Sequence, residues 1–322
     1  MQNIQREQWL KLDIISRWLV ATRASVFIMT VFSCLVGALL AFRDGYWNGP
    51  LLAACLLGLI LAHATNNLLN DLTDYLKGVD KDNYFRNRYG THPLENGLLS
   101  MKKYVVYIVI TGLMAACVGI WIVWQTDIRT LYWMLAGGFF VLFYTWPLKY
   151  IGLGEISVII VWGPLMVGGT YFVLSGGQWS QSMLVYALLW ALGPTSVIMG
   201  KHTDKLNQDR EKKIRTIPVL IGERAARLTI PLMWGLQIIL LIGLVISGSF
   251  HPVLLVGLAS IFYMKQPIQV YLKPRPKSAP DSFPAGIWPL YFVAYAFRVT
   301  RITGLIFISA LILEIVVRNN FI

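Results

Sequence analysis

A chain of 322 residues that is 56% hydrophobic and only 14% charged carries too much apolar surface for one water-soluble core. Ordinary soluble domains run at about 45–50% apolar and about 25% charged. Cys34, Cys55 and Cys117 all lie inside long apolar runs, which excludes a disulfide framework and a thiolate metal site. The formal charge of +12 raises the question of nucleic acid. The basic residues, however, sit in the connections between apolar runs and form no basic helix interleaved with aromatics, so no nucleic-acid partner is expected.

Residues 1–18 are polar and charged, with no apparent cleavable signal peptide. Within 4–19, Ile4, Leu10, Ile14, Ile15, Trp18 and Leu19 alternate with charges, the pattern of an amphipathic helix lying in the membrane interface. The segment 1–20 is therefore read as an interfacial lead-in. A spanning helix needs about 20 mostly apolar residues, and uncharged runs follow at 24–42, 50–70, 104–126 and 130–148. The stretch 156–200 holds no charge at all, so it must turn once, at Ser175-Gly176-Gly177-Gln178. The same argument divides 228–264 at Ser247–Pro252. A last span is expected at 301–318, preceded by an apolar, Pro-containing segment at 283–297 that lies partly in the interface. The chain thus reads as an all-α, polytopic membrane protein of about nine transmembrane helices, a single domain over 1–322.

Orientation follows from the basic residues. With the N-terminus in the cytoplasm, twenty-five Lys and Arg fall on the cytoplasmic side and three, Arg43, Arg129 and Arg318, on the other. That asymmetry decides the topology and puts the polar loops in the cytoplasm, at the inner or plasma membrane of the cell.

Two polar, aspartate-bearing segments close the same side, one at 66–82 and one at 201–215, each followed by a basic loop. This weak internal repeat suits two halves meeting at a shared site. In the first, Asn67, Asn70, Asp71 and Asp74 recur at spacings of three and four and share a helix face. Hard oxygens at a membrane boundary point to function, and several on one face suit Mg²⁺, which retains waters and bridges to substrate phosphates. The alternative is a helix end with ordinary solvated aspartates. In the second, Lys205 and Asp209 are four apart and would form a surface pair of little worth on their own. Lys77, Lys81, Arg86, Arg88, Lys201, Lys205 and Arg210 supply the charge that answers a diphosphate, although most are needed for topology.

Asn70-Asp71-x-x-Asp74-x-x-Lys77-Gly78-x-Asp80 resembles the first aspartate-rich motif of the UbiA superfamily of intramembrane prenyltransferases. Gly152-Leu153-Gly154-Glu155 and Trp162-Gly163-Pro164-Leu165 are similar to its 1,4-dihydroxy-2-naphthoate branch, which serves menaquinone biosynthesis. Tyr144 to Lys149 resembles the family's Tyr…Lys element, and His92-Pro93-Leu94 its Arg-Pro-Leu loop with histidine for arginine. Asp209-Arg210-Glu211 with Arg215 to Gly222 resembles the second motif. One departure stands out: the family's second motif has aspartates four apart, whereas here Lys205 holds the earlier position and the nearest aspartate is Asp204. At about 100° per residue, Asp204 and Asp209 diverge by roughly 140° on an unbroken helix.

The resemblance implies a Mg²⁺-dependent transfer of a polyprenyl chain from its diphosphate to an aromatic acceptor, within membrane lipid, with 1,4-dihydroxy-2-naphthoate the leading acceptor. It implies metal contacts from Asn70, Asp74, Asp80, Asp204 and Asp209, and diphosphate contacts from Lys77, Arg88, Lys201, Lys205 and Arg210. Catalytic roles fall to Asp71, Asp74, Asp209, Tyr144 and Lys149. Tyr144, Trp146 and Trp162 become candidates for the wall around an allylic cation, and Lys149, Glu155 or Asp80 for orienting the acceptor. Two other readings remain open. One is a UbiA-type enzyme with a different acceptor or a cyclase. The other is a secondary transporter, which requires polar groups near the bilayer midplane. Oligomeric state is open.

Overall fold

In a computed structural model residues 4–79 and 90–321 are described, all helix, turn and loop with no strand among them. The interfacial lead-in is two short helices, α1 (Arg6–Lys11) and α2 (Ile14–Ala21), separated where the Asp13 side chain caps α2 by accepting from Ser16 N. Leu10, Ile14 and Ile15 are exposed on them, as an interfacial segment requires. Next come α3 (Phe27–Arg43) and α4 (Gly49–Leu76). The latter starts under an Asn48 cap with Pro50 in its first turn, both favourable at a helix start. After α5 (Met101–Gln125) and α6 (Thr130–Phe143) the chain turns through Leu148–Ile151 into α7 (Gly154–Leu174). The rest is α8 (Gln181–Asp204), α9 (Leu206–Glu211), α10 (Ile217–Ile221), α11 (Glu223–Ile246), α12 (Pro252–Tyr271) and α13 (Tyr291–Phe321).

Among the described residues, eight helices are long and apolar enough to cross a membrane, and α6 is a shorter apolar one. This agrees with the expected nine. The last boundary differs from expectation: α13 begins at Tyr291, not near 301. Arg298 and Arg301 fall inside that spanning helix rather than in the loop before it.

Packing explains the arrangement. Phe32, Val167, Tyr186, Trp190 and Phe307 share one buried cluster joining α3, α7, α8 and α13, tied by a 2.6 Å bond from Trp190 Nε1 to Ser33 Oγ. A second cluster, with Trp234, Tyr271 and Phe292 at its centre, joins α8, α11, α12 and α13. Small residues permit the close approaches usual between membrane helices. A Cβ at Gly200 would sit 3.0 Å from the backbone of Val293, and one at Gly163 2.6 Å from the Ala187 carbonyl oxygen. Gly163 lies in a π-helical stretch, Val161–Gly168, around Pro164. The widened turn carries Val161, Trp162, Leu165 and Met166 onto a cavity wall. By contrast only 11% of the α5 span is buried. One face presents Val105, Val106, Ile110 and Ile120 to the surroundings, which suits lipid contact, while another, with Ile108, Gly112 and Ala116, lines the cavity.

Candidate active site

A large cavity of about 1830 Å³ lies within the bundle. Its apolar depth is lined by Cys55, Gly58, Ile122, Trp133, Met134 and Met166, and its polar mouth by Asn67, Asn70, Asp74, Lys149, Lys201, Lys205 and Asp209. Cys55 and Asp74 both lie on α4, which at 1.5 Å per residue makes that wall about 28 Å long.

The continuous α4 keeps the periodic spacing intact, so Asn66, Asn67, Asn70 and Asp74 face the cavity together. Asp74 is buried, and both of its oxygens accept from Lys149 Nζ at 2.8 Å. Asn70 Nδ2 donates to Thr145 Oγ1 at 3.0 Å, and among the described residues no donor reaches its amide oxygen. Across the mouth, α8 ends at Asp204 and the chain restarts as α9 after Lys205. That break turns Lys205 and Asp209 into the cavity, where Lys205 Nζ lies 3.7 Å from Asp209 Oδ1. Lys201 also lines the cavity. His202 beside it is held by Glu155, whose Oε1 lies 2.6 Å from Nδ1 and whose Oε2 accepts from Ile217 N. Glu155 therefore clamps α7, α8 and α10 rather than facing a substrate. Tyr144 lines the cavity at the end of α6. Its phenol is a neutral hydroxyl at physiological pH.

Several residues singled out in the sequence lie elsewhere. Asp204, expected at the metal, points away from the cavity. Its side chain is fully buried and accepts from Phe292 N and Val293 N at 3.0 Å and from Arg275 Nε at 3.2 Å. It caps the start of α13, satisfying donors that a helix N-terminus leaves open. Asp71 is buried on the neighbouring face of α4, 3.4 Å from Arg23 NH2, and is not a cavity residue. Lys77, expected at the diphosphate, lies 5.1 Å above the rings of Trp146 and Tyr150, outside the cavity. Arg210 is exposed on α9. Asp80 and Arg88 lie outside the described residues, as do Lys81 and Arg86.

Three cavity-lining cations carried no site role in the sequence: Arg23, Arg298 and Arg301. Arg23 has a left-handed backbone, φ 58°, unusual for a residue with a side chain. Its guanidinium reaches the Asn67 carbonyl and side-chain oxygens at 3.2 Å. The available signal was its place just before the first span. Nothing in hydropathy distinguishes it from Arg17.

Donors of this kind fit a magnesium site. Among the described residues no three His, Cys, Asp or Glu side chains converge, but Mg²⁺ needs only one or two carboxylates when waters and phosphate oxygens complete its octahedron. Asp74, Asp209 and the Asn70 amide oxygen provide that set.

A bundle of apolar helices thus surrounds a deep apolar cavity with carboxylates and cations at its polar mouth. The profile of the UbiA prenyltransferase family matches residues 30–295, and the chain belongs to that family of intramembrane prenyltransferases. It is 29% identical over 222 residues to 1,4-dihydroxy-2-naphthoate octaprenyltransferase of Escherichia coli (strain K12), covering 65% of this chain and 70% of that one. It is 28% identical over 214 residues to UbiA prenyltransferase domain-containing protein 1 of Homo sapiens, covering 64% of this chain. The match spans 61% of the length of that relative. The fold is that of a UbiA homolog from Aeropyrum pernix K1, with TM-score 0.67 at 17% identity, over 88% of this chain and 97% of the other. A UbiA homolog from Archaeoglobus fulgidus bound to GPP and Mg²⁺ is similar with TM-score 0.60 at 14% identity, over 91% and 99%.

Proposed function

We propose that the chain transfers a polyprenyl group from its diphosphate to an aromatic acceptor with Mg²⁺, and that the acceptor is 1,4-dihydroxy-2-naphthoate or a close relative. The observation that carries this is the convergence of Asp74 and Asp209, from two separate helix ends, on the polar mouth of one long apolar cavity. The similarity to the Escherichia coli naphthoate enzyme supports the acceptor, and the GPP- and Mg²⁺-bound Archaeoglobus homolog supports the donor and the metal. The carboxylates Asp74 and Asp209 both lie at helix ends on one side of the cavity, an arrangement suited to a metal-bound lipid diphosphate and unlike the midplane site of a transporter.

In the step itself, the bond between C1 of the prenyl chain and the diphosphate oxygen breaks, and its electron pair leaves with the diphosphate. A ring carbon of the acceptor supplies the pair for the new C–C bond. The ring then loses a proton or, at a carboxylated carbon, CO₂. Mg²⁺, when bound by Asp74, Asp209 and Asn70, neutralises charge growing on the leaving group. Lys205 adds positive charge at the same place, and Lys201 lines the cavity beside it. Lys149 holds Asp74 in position through two bonds, and the neutral Tyr144 hydroxyl serves as a donor. Trp162 and Met166 keep water from the allylic centre.

The test is turnover by purified protein in nanodiscs with Mg²⁺, labelled polyprenyl diphosphates of several lengths and a panel of aromatic acceptors. Metal-dependent adduct that disappears in Asp74→Ala supports the reading. Diphosphate release with no adduct from any acceptor redirects it to a cyclase.

A further inference from the structure

The cavity carries more positive charge than its donor end uses. Among the described residues its walls hold Arg23, Lys149, Lys201, Lys205, Arg298 and Arg301 against two carboxylates, Asp74 and Asp209. Lys149 and Lys205 pair with those carboxylates, and Arg23 pairs with Asp71 behind the wall. Arg298 and Arg301 are different. They lie inside the spanning helix α13, three residues apart and therefore on one face. Neither makes a hydrogen bond or ion pair with a described residue, and Arg301 has only a ring contact, 5.8 Å from the Phe297 centroid. A guanidinium within a span is costly and by default marks a functional position.

Their depth and surroundings say what they would meet. The contact of Gly200 with Val293 and the 3.0 Å bond from Thr300 Oγ1 to Gly193 O set α8 and α13 antiparallel. By that register Arg298 stands level with Thr195 and Arg301 with Leu192, Arg298 about 9 Å deeper than Lys201. Helical side chains lean toward the helix N-terminus, which here is the direction of the reacting end of the cavity. Next to Arg298 the wall turns aromatic. Phe283, Tyr295 and Phe297 line the same lobe, and the Phe283 and Tyr295 rings are 6.0 Å apart. Flat rings beside a forked guanidinium are complementary to an aromatic carboxylate, which takes two parallel N–H bonds while its ring lies against the aromatics.

We propose that Arg298 and Arg301, with Phe283 and Tyr295, form the acceptor subsite, and that it selects an aromatic acid over the same ring without a carboxylate. This rests on the transferase reading above, which names the acceptor class but no residues that recognise it.

Equilibrium binding tests it without turnover. Fluorescent 1-hydroxy-2-naphthoate and its carboxylate-free counterpart 1-naphthol are titrated into phosphatidylcholine nanodiscs carrying the wild type, Arg298→Gln, Arg301→Gln or Arg298→Lys, with empty nanodiscs subtracted. Prenyl diphosphate binding is measured on the same preparations. Loss of a charged hydrogen bond predicts naphthoate binding weakened about ten- to hundredfold in the Gln variants. Naphthol and prenyl diphosphate should change less than about threefold, and Arg298→Lys should recover part of the loss. Equal weakening of both ring ligands overturns the proposal in favour of a packing role. Weakened prenyl diphosphate binding assigns the arginines to the donor. Unchanged naphthoate binding, with turnover lost only when phosphatidylglycerol is added, assigns them to a lipid headgroup. No naphthoate binding by wild type also overturns it. Failure of every acceptor to react while naphthoate binding still depends on Arg298 sinks the transferase reading and leaves the subsite standing.

Discussion

At the end of α4, Asn67, Asn70 and Asp74 keep their spacing on an unbroken helix, and all three reach the cavity. At the end of α8 the helix stops at Asp204 and resumes as α9, so two aspartates five residues apart go to opposite destinations: Asp209 into the cavity, Asp204 to the backbone of α13. The two ends look alike in sequence and are built by different means. The first uses helical periodicity. The second uses a break, and the aspartate before the break holds the neighbouring helix in place while the one after it faces the chemistry. A carboxylate's role thus depends on which donors its own helix end can reach, and residue type alone does not decide it.

The largest test of that contrast sets Asp74→Asn and Asp209→Asn beside Asp204→Asn. The first two should lower kcat/KM by roughly a hundred- to thousandfold, the scale of losing one preorganised electrostatic contact, and Asp74→Asn should lose stability as well, because it strips Lys149 of its buried partner. Asp204→Asn should cost stability without touching the metal. Its fully buried carboxylate answers Arg275 and two backbone donors, so breaking it should cost about 3 kcal/mol of stability. The fraction that folds should retain its Mg²⁺ requirement. A shifted Mg²⁺ half-saturation in Asp204→Asn would return that residue to the metal.

A more moderate effect is expected at Lys205, which occupies the cation position beside Asp209. Lys205→Asp removes the competing ammonium and adds a second oxygen ligand one turn away. The Mg²⁺ concentration giving half-maximal turnover should fall several-fold, and the prenyl diphosphate KM should rise. If Mg²⁺ dependence is unchanged and only the diphosphate KM moves, the lysine serves the substrate alone. The smallest effect belongs to Lys77, which lies over Trp146 and Tyr150 outside the cavity. Lys77→Ala should leave kcat/KM within about threefold, since exposed cation–π contacts are weak. A tenfold loss would place Lys77 on the diphosphate after all.

Much of the frame was legible because a bilayer reduces folding to a run-length problem of apolar stretches and polar turns. The Asn70–Asp74 face was legible for a similar reason, being one short-range periodicity on one helix. Asp204 was not, because its partners Phe292 and Val293 lie 88 and 89 residues away and only tertiary packing brings them near. Arg298 and Arg301 were assigned to a loop because two charges end an apolar run when it is read residue by residue. In the folded chain they face a cavity, where their charge is tolerated, and α13 continues through them.

The α4 wall between Cys55 and Asp74, about 28 Å in length, is close to the hydrocarbon thickness of a bilayer, about 30 Å. A chain drawn out along that wall already lies across the membrane as a lipid tail does, with its polar end held at one surface. On the proposed reading, a product formed there would be oriented for release before it leaves, with its head at the interface and its tail at acyl-chain depth, so that departure would require sideways movement without inversion.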